Sequence, residues 1–263
     1  MLLLALDTST RQSSIALCSE DEVYSEYSWH IGNNHSVAVL THIQRIAAEC
    51  EISLSALDAI AVATGPGSFN GVRVALATAK SLAFALRKPL IGVSTLDLIA
   101  AAQQQWHGPL CAVLEAGRSE LYTGCYLCDE QRGSAGDLSY SLIRLDDYQV
   151  LTPHLLAAYL QEQAATWFAV PGESQLPRDF SFLFCGELRA PSRAALSTHL
   201  QGMALFAGNV QSTRHATVLA MLAHQRLQAG DQDDPLSLEP LYLRRPSITT
   251  STRKQPLLGG IAQ

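Results

Sequence analysis

One pattern that occurs twice narrows what this 263-residue chain can fold into. Residues 2–6 form an apolar run, Asp7-Thr8-Ser9-Thr10 a short polar turn, and Ser13, Ile15 and Leu17 the start of an alternating run. The pattern restarts at 110–114, turns through Glu115-Ala116-Gly117-Arg118, and alternates again over 121–127. A continuous apolar run suits a strand buried on both faces, and alternation suits a strand with one face on a core. A strand-turn-strand opening used twice predicts two related halves, not one continuous sheet, with a boundary near His107.

The remaining periodicities fill in both halves. Residues 23–29 complete a three-strand meander, a polar loop follows over 30–35, and Ser36 can cap a helix over 36–50 whose apolar stripe is Val37, Leu40, Ile43, Ile46 and Ala47. A strand over 58–63, a helix over 71–86, a strand over 89–93 and a helix over 95–106 capped by Ser94 close the first half. The second half continues with a polar loop over 131–137, a strand over 139–145, and a helix to about 165 announced by Thr152-Pro153. Residues 171–177 read as irregular, followed by a strand over 180–185, a helix over 191–200, a strand over 203–206 and a helix from Ser212 as cap to 228, stopped by Gly230. The expected division is a first lobe over 1–107, a second over 108–211, a C-terminal helix and segment over 212–245 packing back on the first lobe, and a mobile tail over 246–263.

A hydrophobic content of 48% can fill such cores without staples. The net charge of −6 provides no global basic field, so direct binding of nucleic acid is not expected. Six scattered cysteines fit a reducing compartment. The apolar start lacks a basic flank and meets Asp7 too early for a signal peptide or membrane span, which points to the cytoplasm.

Three stretches bear on chemistry. The glycine-rich segment Thr64-Gly65-Pro66-Gly67-Ser68-Phe69-Asn70-Gly71 lies between an apolar run and a helix. It is either a phosphate cradle of backbone N–H groups or a tight turn, with Asn70 as cap, that sets the direction of the helix from Gly71. That helix is apolar around most of its perimeter and rich in alanine, which predicts packing against another helix, between subunits. Asp7-Thr8-Ser9 is where an actin-like ATPase holds metal and phosphate, and equally a turn that bonds to itself. Cys125-x-x-Cys128 lacks a second pair, and on a strand its thiols point to opposite faces. His35 and His42 are too far apart for one zinc, and no serine elbow, H-E-x-x-H or paired-acid motif occurs.

Residues 3–9, Asn34-His35-Ser36, 64–73, 115–122 and Pro240-Leu241-Tyr242-Leu243-Arg244 resemble, in order and over nearly the whole chain, the bacterial TsaB (YeaZ) family. The resemblance implies an α/β, actin-like (ASKHA, ribonuclease H-like) two-lobed fold with mixed sheets flanked by helices. It also implies a role in making threonylcarbamoyladenosine beside the tRNA anticodon, as a noncatalytic partner of TsaD. The small ATPase TsaE joins them, ATP is used by the wider complex, and tRNA is met only indirectly. No cofactor or metal is expected on the isolated chain. TsaD-like proteins carry a His-x-x-x-His metal pair where Thr95 and Ile99 stand here. That speaks against the alternative of a metal-dependent glycopeptidase, and the single glycine after Glu115 against a nucleotide-binding sugar-kinase relative. Asn70, Glu115 and Gly186-Glu187 replace a usual Thr, Asp and Gly-Asp. The vestigial phosphate turns are then Asp7, Thr8, Ser9, Gly65, Gly67 and Glu115. The expected docking face for TsaD, or for a second copy in its absence, is Val37, Leu40, Ile43, Arg73, Leu76, Ala79, Lys80 and Ala83.

Overall fold

The computed structural model describes residues 1–30, 35–132, 138–168 and 180–244, and within these the side chains of all but 35–37, 130–132 and 138–139. The loop containing Gly32, Asn33 and Asn34, the side chains of Ser36 and Val37, most of the 131–137 loop, the 171–177 segment and the tail beyond Pro246 lie outside the described residues.

Two mixed sheets repeat one topology. In the first, β1 (Leu3–Asp7) lies between antiparallel β2 (Gln12–Cys18) and parallel β4 (Ala59–Ala63), with β3 (Val23–His30) beyond β2 and β5 (Leu90–Val93) beyond β4. In the second, β6 (Leu110–Gly117) lies between antiparallel β7 (Glu120–Arg132) and parallel β10 (Phe182–Glu187), with β8 (Leu138–Arg144) beyond β7 and β11 (Ala204–Phe206) beyond β10. A three-residue strand, β9 (Gln149–Leu151), adds to β7 and is too short for alternation to announce it. Each meander is continued by helix, strand, helix, strand, helix. The helices are α1 (His35–Glu49), α2 (Phe69–Leu86) and α3 (Thr95–Ala101) in the first half, and α4 (Pro153–Trp167), α5 (Ala190–Leu200) and α6 (Ala216–Gln228) in the second.

Strand alternation decides which layer each residue joins. On β1, Leu4 and Leu6 meet Val39, Ile43 and Ile46 of α1 and Ala75, Leu76, Ala79 and Ala83 of α2. Leu3 and Ala5 face the other way, onto Ala216, Leu219, Ala220 and Ala223 of α6. In the second sheet Cys111, Val113, Phe182 and Phe184 pack on α4 and α5, while Ala112 and Leu114 meet Leu96, Ile99 and Ala100 of α3. The last helix of each half therefore covers a sheet of the other.

Local signals are corrected at three helix ends. Ser68, not Asn70, caps α2, its Oγ accepting from Gly71 N at 3.3 Å, so the helix begins at Phe69. The helix after β5 ends at Ala101, followed by turns, instead of reaching residue 106. Ser212 does not cap α6, which starts four residues later behind His215 with no side-chain cap bond. Thr152 and Ser94 cap α4 and α3 as their sequences indicate. No helix among the described residues is long and apolar enough to cross a membrane.

Candidate functional site

Asp7, Glu115 and Glu187 sit at or near the carboxyl ends of β1, β6 and β10, the end of parallel strands at which open α/β sheets hold ligands. Around Asp7 the polypeptide has turned inward. Asp7 Oδ1 accepts from Ser9 N at 2.8 Å and from Ser9 Oγ at 2.6 Å, and all of Asp7, Thr8 and Ser9 are buried. Thr8 Oγ1 donates to Gly71 O at 2.6 Å, and Ser68 N donates to Ser9 O at 2.5 Å. The glycine loop thus lies directly on the Asp7 turn. A Cβ at Gly67 would stand 2.1 Å from Ser9 O, and one at Gly71 2.0 Å from Thr8 O. These glycines serve the close approach of two backbones. Gly65, with φ of +99°, offers its carbonyl to Thr95 N at 2.7 Å, tying the loop to α3 as well.

The second oxygen of Asp7 is also taken. Arg214, just before α6, donates from Nε to Asp7 Oδ2 at 2.8 Å, from Nη1 to Glu187 Oε1, and from Nη2 to Thr10 Oγ1 at 2.6 Å and Gln12 O at 2.7 Å. Thr10 Oγ1 in turn donates to Glu187 Oε1 at 2.7 Å. The side chains of Arg214 and Asp7 are 1% and 0% exposed. Burial alone would disfavour the guanidinium charge, but Asp7 and then Glu187 outweigh it, and the pKa of Arg214 lies above its ordinary value. The carboxylate that an actin-like ATPase offers to metal and phosphate is occupied here by the chain's own cation, and metal-nucleotide does not fit the site as built.

Glu115 shows the same outcome by another route. Its carboxylate accepts from Arg189 N at 2.9 Å, Arg189 Nη2 at 2.7 Å and Ser192 Oγ at 2.8 Å. Arg189 precedes α5 and makes no side-chain cap bond of its own, so Glu115 supplies the acceptor that the helix start lacks. Burial pushes Glu115 up, but the Arg189 and Ser192 hydrogen bonds win and hold it below the usual carboxylate range.

The expected docking residues divide in two. Ile43, Leu76, Ala79 and Ala83 are buried in the core under α1 and α2 and form no surface. On a helix with alanine all around, the sequence does not tell which stripe faces the sheet. Leu40 (52% exposed) and Arg73 do reach solvent, and the face of α2 that carries Arg73 also carries Ala77, Ser81 and Phe84, the last 77% exposed. Lys80 Nζ donates to Leu238 O at 2.8 Å. Arg73 stands over the Phe69 ring at 4.7 Å, and Phe69 stacks on Tyr242 at 5.4 Å, so the 240–244 stretch borders this face.

Other candidates resolve simply. Cys125 and Cys128 join cores on opposite faces of the second sheet, as strand geometry requires, and burial pushes the Cys128 thiol up to about 11. His42 packs against Trp29 at 4.3 Å, and the side chain of His35 lies outside the described residues. Thr95 and Ile99 are both buried, Ile99 among apolar neighbours. Among the described residues no group of three or more His, Cys, Asp or Glu could hold a metal ion. Sequence reasoning missed Arg214 and Arg189 altogether; the only trace was Glu187, a departure from the expected Asp, whose partner is 27 positions away.

A meander plus two parallel strands, used twice, with acid-bearing turns at the strand ends, defines an actin-like α/β protein. The sequence model of the TsaD family, tRNA N6-adenosine threonylcarbamoyltransferase, matches residues 30–251. The tRNA threonylcarbamoyladenosine biosynthesis protein TsaB of Bacillus subtilis is 38% identical over 126 residues, which cover 48% of this chain and 55% of that one, so the match spans about half of that relative. TsaB of Escherichia coli is 30% identical over 172 residues, covering 65% of this chain and 71% of that one. The structure of YeaZ from Pseudomonas aeruginosa superposes with a TM-score of 0.64 at 27% identity, over 92% of this chain and 99% of that one. The chain belongs to the TsaB (YeaZ) family, within the wider group that the TsaD model describes.

Proposed function

We propose that this protein works in threonylcarbamoyladenosine biosynthesis as a noncatalytic partner that binds and supports TsaD, with TsaE joining the pair and tRNA met only through the assembly. The observation that carries the noncatalytic part is the fate of the two turn acids. Asp7 is neutralised by buried Arg214 and Glu115 by Arg189, so neither turn keeps a free carboxylate for metal or phosphate. The isolated chain accordingly needs no nucleotide, and ATP belongs to the wider complex. Support for docking comes from the outer face of α2, where Ala77 and Phe84 expose apolar surface on the helix face of Arg73, and from the exposed Leu40 of α1. TsaD covers that face, and a second copy of this chain covers it when TsaD is absent.

Calorimetric titration with TsaD of the same organism tests the reading. Phe84→Glu and Ala77→Glu place charge on exposed positions, so the monomer should keep its thermal midpoint while affinity for TsaD falls by about 100-fold, as expected for loss of a buried interface anchor. Undiminished affinity in both variants would remove α2 from the interface. Micromolar binding of ATP by the isolated wild-type chain would overturn the noncatalytic reading.

A further inference from the structure

We propose that Arg214 is the resident cation of the buried junction between the two halves, filling an all-oxygen site of the kind that otherwise holds a hard metal ion and binding both halves together as one body. Four oxygen atoms converge on the one guanidinium: Asp7 Oδ2, Thr10 Oγ1 and Gln12 O from the first half, and Glu187 Oε1 from the second. Two carboxylates, a hydroxyl and a backbone carbonyl are the donor set that calcium or magnesium takes. Four of the five guanidinium N–H groups are used, which the three-donor point charge of lysine would not reproduce. The network is closed internally by Thr10 Oγ1 donating to Glu187 Oε1 at 2.7 Å.

The position of Arg214 in the chain gives the second consequence. It leaves the second half after β11 and precedes α6, which covers the first sheet. The guanidinium is therefore anchored where the chain crosses, and parting the two halves would strip a buried charge of its partners. In an actin-like enzyme a bound metal-nucleotide bridges the halves; here the bridge is covalently part of the chain and permanent.

The full-length Arg214→Ala variant tests this with the isolated protein, independently of any partner. Leaving Asp7 buried without its counter-charge should lower the thermal midpoint by about 10 °C. Millimolar calcium or magnesium chloride should raise the variant's midpoint and leave the wild type unmoved, and calorimetry should read a single cation site in the variant alone. Asp7→Asn combined with Arg214→Ala removes the stranded charge, so the double variant should be more stable than Arg214→Ala and blind to both cations. This comparison holds even where the single variant folds only on adding the cation. A wild type that takes up calcium or magnesium at the same site, a single variant with an unchanged midpoint, or a cation response that survives Asp7→Asn would each overturn the proposal.

Discussion

At the scale of single residues, acids at strand ends are informative only together with what neutralises them. Asp7-Thr8-Ser9 and Glu115 stand out in the sequence, because a carboxylate closing a strand before hydroxyls or glycine is a recognisable turn. Their arginines do not, since Arg214 lies 207 positions from Asp7 and Arg189 lies 74 from Glu115. Glu115 yields a pH prediction. Its pKa is depressed in the folded chain, so its contribution to stability is complete above the ordinary glutamate value and is lost as pH falls through the folded value. The wild-type thermal midpoint should fall across that acidic window, whereas Glu115→Gln should start lower at neutral pH and change less across it. Parallel profiles for the two proteins would show that Arg189 and Ser192 gain nothing from the charge.

At the scale of elements, α2 shows where periodicity stops being decisive. Its extent is legible to within two residues, and its cap is found three residues from Gly71 once Ser68 is seen to accept the amide of that glycine. Its orientation is not legible, because alanine occupies both the buried positions 75, 79 and 83 and the exposed positions 77 and 85. Helix rotation is set by the contacts of Val72, Ala75, Leu76, Ala79 and Ala83, of which the three alanines let the helix lie close on β4 and β1. Ala79→Glu would bury an unpaired carboxylate there and should cost more than about 4 kcal/mol in denaturant unfolding. Phe84→Glu, five residues on, should cost almost nothing, and equal losses would mean that α2 is turned otherwise.

At the scale of the molecule, the halves are repeats that each cover a sheet of the other. Helix α3 belongs by sequence to the first half and packs on the second sheet, while α6 follows the second half and covers the first. A chain of residues 1–107 alone would expose Leu3, Ala5, Ala61, Ala63, Ile91 and Val93 to water. It should show little helix by circular dichroism and no protected amides on β1, while the full chain unfolds in one transition; a folded 1–107 fragment would refute the interdependence. The sequence by itself determined the twice-used meander, the run of helices and strands, and the two acid-bearing turns. These follow from short-range forces, namely side-chain alternation, capping and turn preferences, which are written in neighbouring residues. Only the tertiary structure decided which stripe of α2 is outside, that α3 covers the second sheet, and that Arg214 and Arg189 fill the turns. Those outcomes depend on groups far apart in sequence meeting in space, where burial makes pairing a charge obligatory and leaves no local pattern to record it.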